Sequence, residues 1–181
     1  MKNTKFINFF GGPGTGKSTA AASLYIEMKK QGLDVELVTE FAKDLVWEER
    51  SKTLQIQPYI TIKQYRNLMR VKGKVDYVIT DAPMIMGIAY ARMYAADLPE
   101  SYETCIADLN TNFITPSYNV YLVRKFTYNP IGRYQTEDGA KEMDKLILQV
   151  LQDYGIEYHI NTADQTTEIL NHIVNQNTFN G

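Results

Sequence analysis

The run Gly11-Gly12-Pro13-Gly14-Thr15-Gly16-Lys17-Ser18 places a lysine and a hydroxyl directly behind closely spaced glycines. That spacing satisfies G-x-x-x-x-G-K-[ST], and the chemistry it suits is the holding of phosphates. Glycines let the backbone curl into a nest whose N–H groups converge on phosphate oxygens, and a helix starting there aims its positive dipole end at the same point. Gly12, Pro13, Gly14, Thr15, Gly16, Lys17, Ser18 and Thr19 are therefore the expected nucleotide-binding residues. Lys17, read as exposed and purely electrostatic, is expected to neutralise β- and γ-phosphates. Ser18 is expected to offer its hydroxyl to Mg²⁺, and Thr19 to reach the α-phosphate. The expected nucleotide is ATP, with GTP as the alternative. Two rivals remain: a glycine-rich turn with an accidental Gly-Lys-Ser, and a dinucleotide-binding turn, which does not call for Lys-Ser after its last glycine.

Two acids fall where such a loop needs them. Asp81 ends the apolar run Val78-Ile79-Thr80, the position from which a carboxylate reaches Mg²⁺ directly or through water; the alternative is an N-cap for the helix after Pro83. Glu40 closes Val38-Thr39, overhanging the acceptor side of a γ-phosphate, where it could orient or deprotonate an attacking hydroxyl. It could equally cap the helix beginning at Phe41. Arg124 and Arg133 flank turn-forming Tyr128-Asn129-Pro130-Ile131-Gly132, so residues 124–139 read as a closing lid whose arginines offset transferring charge. The bland alternative is two surface arginines.

Further signals are weaker. Lys63, Arg66, Arg70 and Lys74 align on one helical face in a stretch free of acids, with Tyr59 and Tyr65 near enough to stack on bases. That face suits a phosphorylated substrate or a DNA strand, though such faces are usually only solvated. Asn161-Thr162-Ala163-Asp164 has a guanine-reading look without its lysine, so ATP is favoured and Asp164 is expected to cap the last helix. Trp47, Met84, Met86 and Tyr90 either wall an acceptor pocket or pack a core.

Period-2 and buried β-rich runs at 5–10, 34–39, 77–80, 119–123 and 156–160 alternate with helical patterns at 17–31, 41–50, 58–72, 84–95, 101–113, 137–154 and 165–175. The alternation predicts an α/β fold, a parallel five-stranded sheet flanked by helices on both faces, with ligands at the carboxyl ends of the strands. No repeat or linker divides residues 1–181, so one domain is expected. A chain of 181 residues, 44% hydrophobic, can bury a full core. Its net charge of -2 supplies no global field for nucleic acid or membrane. The single cysteine, Cys105, leaves no disulfide pair, and His159 and His172 form no zinc spacing with it. The apolar run at 6–10 is too short for a signal core, and 84–96 falls below the roughly 18 apolar residues of a membrane span. A cytoplasmic protein with no membrane partner is the expectation; the oligomeric state is open.

At these points the chain resembles the kinase branch of P-loop proteins. It looks most like the ribosylnicotinamide-kinase domain of NadR-type proteins and related small bacteriophage P-loop kinases, and more distantly like deoxynucleoside kinases. The matching pieces are 11–19, Glu40-Phe41-Ala42-Lys43, which resembles a Glu-Tyr-Ala-Arg segment, the strand ending at Asp81, and Val123-Arg124-Lys125 before a loop with Arg133. The resemblance implies a P-loop NTPase fold with the Asp81 strand beside the P-loop strand. It also implies transfer of a γ-phosphoryl group to a hydroxyl of a nucleoside- or nucleotide-type acceptor, with Glu40 as general base. The chain departs from the pattern at Lys43, where an arginine is expected, and in the wide Arg124 to Arg133 spacing. Other outcomes are a phage-type DNA kinase acting on a hydroxymethylated pyrimidine base, a regulatory ATPase, and a non-catalytic nucleotide-binding module.

Overall fold

The computed structural model describes residues 1–125 and 136–178. In chain order they form β1 (Lys5–Phe10), α1 (Lys17–Lys30), β2 (Val35–Val38), α2 (Phe41–Trp47), α3 (Ser51–Leu54), α4 (Gln57–Met69) and β3 (Tyr77–Thr80). There follow α5 (Met86–Tyr94), α6 (Glu100–Phe113), β4 (Ser117–Leu122), α7 (Glu137–Asp153), β5 (His159–Asn161) and α8 (Thr166–Thr178). Every strand pairing is parallel, in the order β2-β3-β1-β4-β5. The expected α/β sheet of five parallel strands is thus observed, with β3 directly beside β1.

The sheet is covered on both faces, which is why β1 places apolar side chains on both of them, with Asn8 the one buried polar residue among Phe6 to Phe10. Phe6 and Phe10 face a cluster with Leu68, Ile88, Ile106, Met143 and Ile147 from α4 to α7. Ile7 and Phe9 face Ala20, Leu24, Leu170 and Ile173 of α1 and α8. All four β1 side chains are essentially inaccessible to solvent, and each fully buried side chain of this size contributes about 1.5–3 kcal/mol.

Register decides where the chemistry falls. Asn8 pairs with Thr80, and Val38 pairs with the same Thr80 on the other side. Gly11, Glu40 and Asp81 therefore leave neighbouring strands at one end of the sheet, and the loops they begin share one crevice.

Three local departures from expectation have physical causes. The helix expected over 41–50 stops at Trp47, because Glu49 turns left-handed (φ 56), its N–H bonding the Val46 carbonyl and that of Arg50 the Leu45 carbonyl. This is a Schellman closure without the usual glycine, after which the short α3 begins. The last strand starts at His159 rather than Ile156, since the Ile156 N–H is used on the Leu151 carbonyl to close α7 behind Gly155 (φ +59). Asp164 is not the cap of α8: it forms an ion pair with Lys125 at 2.6 Å, while Gln165 Oε1 accepts from the Thr162 N–H at 2.8 Å. Lys125 holds the Asp164 carboxyl down at about 2. Among the described residues no helix is long and apolar enough to cross a membrane.

Candidate active site

The glycine-rich loop connects β1 to α1 as the motif requires. Gly14 (φ +89) and Gly16 (φ +91) take left-handed conformations that would strain any other residue. Gly16 is the N-cap of α1, so the first helical amides, from Lys17 onward, open toward the crevice. Residues Pro13, Gly14, Gly16, Lys17, Ser18 and Thr19 form one wall of a cavity of about 280 Å³.

Gly12 and Thr15 stand apart from that wall. The Gly12 N–H donates to Asp144 Oδ1 at 2.6 Å, behind the loop. Thr15 is 1% exposed, and both its N–H (3.4 Å) and its hydroxyl (3.0 Å) are turned onto the Gly12 carbonyl. Lys17 corrects a second expectation: it is buried, 8% exposed, its Nζ donating to the carbonyls of Gly11 (2.6 Å) and Gly12 (3.1 Å). The lysine is thus a structural donor within the loop as well as a charge at its mouth.

Ser18 and Asp81 meet across the crevice, the serine hydroxyl donating to Asp81 Oδ2 at 2.5 Å. Asp81 is 2% exposed, and its second oxygen, Oδ1, is buried with no hydrogen-bond partner among the described residues. A buried carboxylate oxygen left without a donor is costly unless something electropositive serves it. Asp81 does not cap the following helix, whose N-cap is Ile85. A hydroxyl and a carboxylate are hard oxygen ligands that fit Mg²⁺, which keeps several waters and takes one or two protein carboxylates. Consistent with that sparse donor set, the described residues hold no cluster of three or more His, Cys, Asp or Glu.

Glu40 lies at the N-cap position of α2 but makes no side-chain cap bond. The Phe41 N–H donates to Gln64 Oε1 of α4 at 3.1 Å, and Glu40 lines the cavity. Away from the glycine loop the cavity is walled by Phe41, Val46, Ile60, Met84, Met86, Tyr90 and Tyr94, with Gln57 and Gln64 as polar points. Trp47, a candidate for this wall, is instead 63% exposed and outside it, and Val46 takes the place. Beneath the wall, Thr61 and Tyr102 pair through their hydroxyls at 2.8 Å, and burial pushes the Tyr102 hydroxyl up. Gln64, Thr61 and Tyr102 lacked a motif; their sole signal was polarity on the inward face of amphipathic helices.

Arg124 is not on the cavity wall and is not an exposed surface arginine. Its guanidinium donates to the Pro13 carbonyl (2.7 Å), the Ala140 carbonyl (3.4 Å) and Asp144 Oδ2 (2.8 Å), while Nε is buried without a partner among the described residues. Burial, with the Asp144 carboxylate as a further cause, pushes the neighbouring Tyr121 hydroxyl well up, so it stays neutral. Arg133 and most of the expected 124–139 lid lie outside the described residues. On α4, Lys63 sits over the Tyr59 ring at 5.4 Å and Arg66 is exposed, whereas Arg70 is the exposed C-cap and Lys74 lies past the helix in a turn, so the four do not share one helical face.

With this geometry in hand, known proteins can be compared. A structure of deoxyadenosine kinase from M. mycoides with bound dATP superposes with a TM-score of 0.56 and 16% sequence identity, covering 96% of this chain and 99% of that one. The same enzyme with products dCMP and a flexible dCDP bound gives a TM-score of 0.61 at 16% identity, covering 96% and 98%. At that identity the likeness establishes the shared fold, the P-loop NTPase fold. No curated protein matches the sequence. A family model described as an AAA domain matches residues 6–167, nearly the whole described fold. The chain therefore belongs to the AAA domain family of P-loop nucleotide-binding proteins.

Proposed function

We propose that this protein is an ATP-dependent kinase that transfers the γ-phosphoryl group to a hydroxyl of a nucleoside- or nucleotide-type acceptor. The observation that carries the reading is the single cavity running from the glycine loop, past Asp81 and Glu40, to a chamber walled by aromatic and methionine side chains. A motor that only splits ATP needs no such chamber beside the phosphates, whereas a planar base finds apolar faces there, with Gln57 and Gln64 as hydrogen-bonding points. The kinship in fold to an enzyme named deoxyadenosine kinase supports the same reading.

In this reading the amides of Gly14 and residues 16–19, with Lys17, hold the triphosphate, and Ser18 and Asp81 would hold Mg²⁺. The metal, when bound, neutralises charge on the β- and γ-oxygens. Glu40 accepts the proton of the acceptor hydroxyl as its oxygen bonds to the γ-phosphorus, and the bond to the bridging oxygen breaks to release the nucleoside diphosphate. Lys17 meets the charge that gathers on the transferring group. Arg124 acts in support of the loop, and Arg133 is a further candidate for closing over the phosphates.

A second reading, a polynucleotide acceptor, is favoured by one observation. The inner side of α4 lines the cavity through Gln57, Ile60, Thr61 and Gln64, and its outer side carries Arg66 and Arg70 on the solvent face. A phosphate backbone laid along that face would bring a base or sugar to the cavity mouth. The test for both is incubation with γ-labelled ATP and Mg²⁺ against nucleosides, nucleotides and base-modified DNA. Label on a free nucleoside or nucleotide is expected; label on DNA selects the second reading; release of labelled phosphate to water alone refutes the kinase and leaves an ATPase.

A further inference from the structure

The start of the glycine loop is gripped from behind by α7, through a carboxylate 132 positions away in sequence. Asp144 Oδ1 accepts from the Gly12 N–H at 2.6 Å, and Oδ2 accepts from Arg124 Nη2 at 2.8 Å. Arg124 Nη1 in turn donates to the Pro13 carbonyl at 2.7 Å. One acid and one guanidinium thus fix the amide of Gly12 and the carbonyl of Pro13, immediately before the left-handed Gly14. The fit leaves no room for adjustment: a Cβ on Gly12 would overlap Asp144 Oδ1 and fall 2.7 Å from the Ala140 carbonyl oxygen.

We infer that Asp144 is a positioning residue for the nucleotide: it anchors the entry of the phosphate loop so that the amides of Gly14 and residues 16–19 keep their common focus. An acid needed only to balance Arg124 would spend both oxygens on the guanidinium, as a bidentate pair does. Asp144 instead divides them, one for the charge and one for the loop backbone. Between Gly12 and the first turn of α1 only Pro13 to Gly16 intervene, so an entry point released by about 1 Å displaces the phosphate-facing amides by a comparable amount, and misplacement of that size costs on the order of 100-fold.

The inference rests on the reading of 11–19 as the nucleotide loop, and its test needs no acceptor. ATP with Mg²⁺, and a non-hydrolysable ATP analogue, are titrated into the wild type and Asp144→Ala well below either melting temperature. Folding is checked by circular dichroism, and Glu142→Ala, on the exposed side of α7, serves as a control. Nucleotide affinity in Asp144→Ala is expected to fall about 10- to 100-fold, while Glu142→Ala binds nucleotide like the wild type. A folded Asp144→Ala protein that binds nucleotide like the wild type overturns the inference, whatever its melting temperature. If Asp144→Ala does not fold, Asp144→Asn replaces it: its lone side-chain oxygen can serve Gly12 or Arg124 but not both, so weakened binding is again expected and wild-type binding overturns. Failure of the wild type to phosphorylate any acceptor would sink the kinase reading and leave this titration intact.

Discussion

Gly87, on α5, packs closely against α4, and both helices wall the cavity. A methyl group there would lie 2.5 Å from Thr61 Oγ1 and 3.1 Å from Thr61 Cγ2 of α4. Thr61 is 3% exposed and its hydroxyl is already paired with Tyr102 at 2.8 Å, so rotating it out of the way breaks that bond. Overpacking of this kind costs about 1–3 kcal/mol, and the lost hydrogen bond about 1 more. Alanine returns about 1 kcal/mol of helix propensity. Gly87→Ala should therefore lower stability by about 1–3 kcal/mol, a drop in Tm of roughly 2–10 °C for a chain of this size. The decisive assay is a double-mutant cycle with Thr61→Ala, read by urea and thermal melts. Thr61→Ala removes both clashing atoms, so Gly87→Ala in that background should be neutral or slightly stabilising. Additivity of the two substitutions to within about 0.5 kcal/mol would refute steric contact as the cause. Because the same helices wall the acceptor chamber, Gly87→Ala should also raise acceptor KM more than nucleotide KM.

Three further outcomes are expected. Lys17→Ala should cut phosphoryl transfer by at least about 100-fold, and, because the buried Nζ serves two loop carbonyls, it should also lower stability by about 1–3 kcal/mol; unchanged turnover would remove Lys17 from the reaction. Glu40→Gln should lower kcat by about 100-fold or more with little change in nucleotide affinity, and equal losses in both would contradict a proton-accepting role. Glu103 is held below its ordinary 4.5 chiefly by its hydrogen bond from Arg92. A depressed carboxylate stabilises the fold fully above its unfolded value and loses that contribution as pH falls through the folded one. The stability gap between wild type and Glu103→Gln should thus be full above about pH 4.5 and shrink on further acidification; a pH-independent gap in urea midpoint would exclude the ion pair as its source.

Much of this fold could be read in advance because local and global signals agree. The strands at 5–10 and 77–80 carry short, mostly apolar β-rich runs, and the loop after the first carries a motif whose backbone needs are met only by its glycines. What escaped was chemistry that joins distant segments. Gln64 replaces Glu40 as the partner of the Phe41 N–H, and Asp144 holds Gly12, yet neither pairing leaves a periodic or spaced trace. The Schellman closure at Glu49 was hidden because it uses no glycine. Burial misled in both directions: Lys17 and Arg124 are inside, drawn in by carbonyls and a carboxylate, while Trp47 is outside.

Two carboxylates of α7, one at its middle and one at its last residue, tie that helix to both sides of the cavity. Asp144 touches the phosphate loop, and Asp153, nine residues and about 13 Å further along the axis, accepts from Arg92 of α5 at 2.7 Å. The same α5 contributes Met86, Tyr90 and Tyr94 to the cavity wall. α7 thus holds two of the pieces that border one cavity, the glycine loop through Asp144 and α5 through Asp153, so neither can shift against that helix without straining a bond it makes.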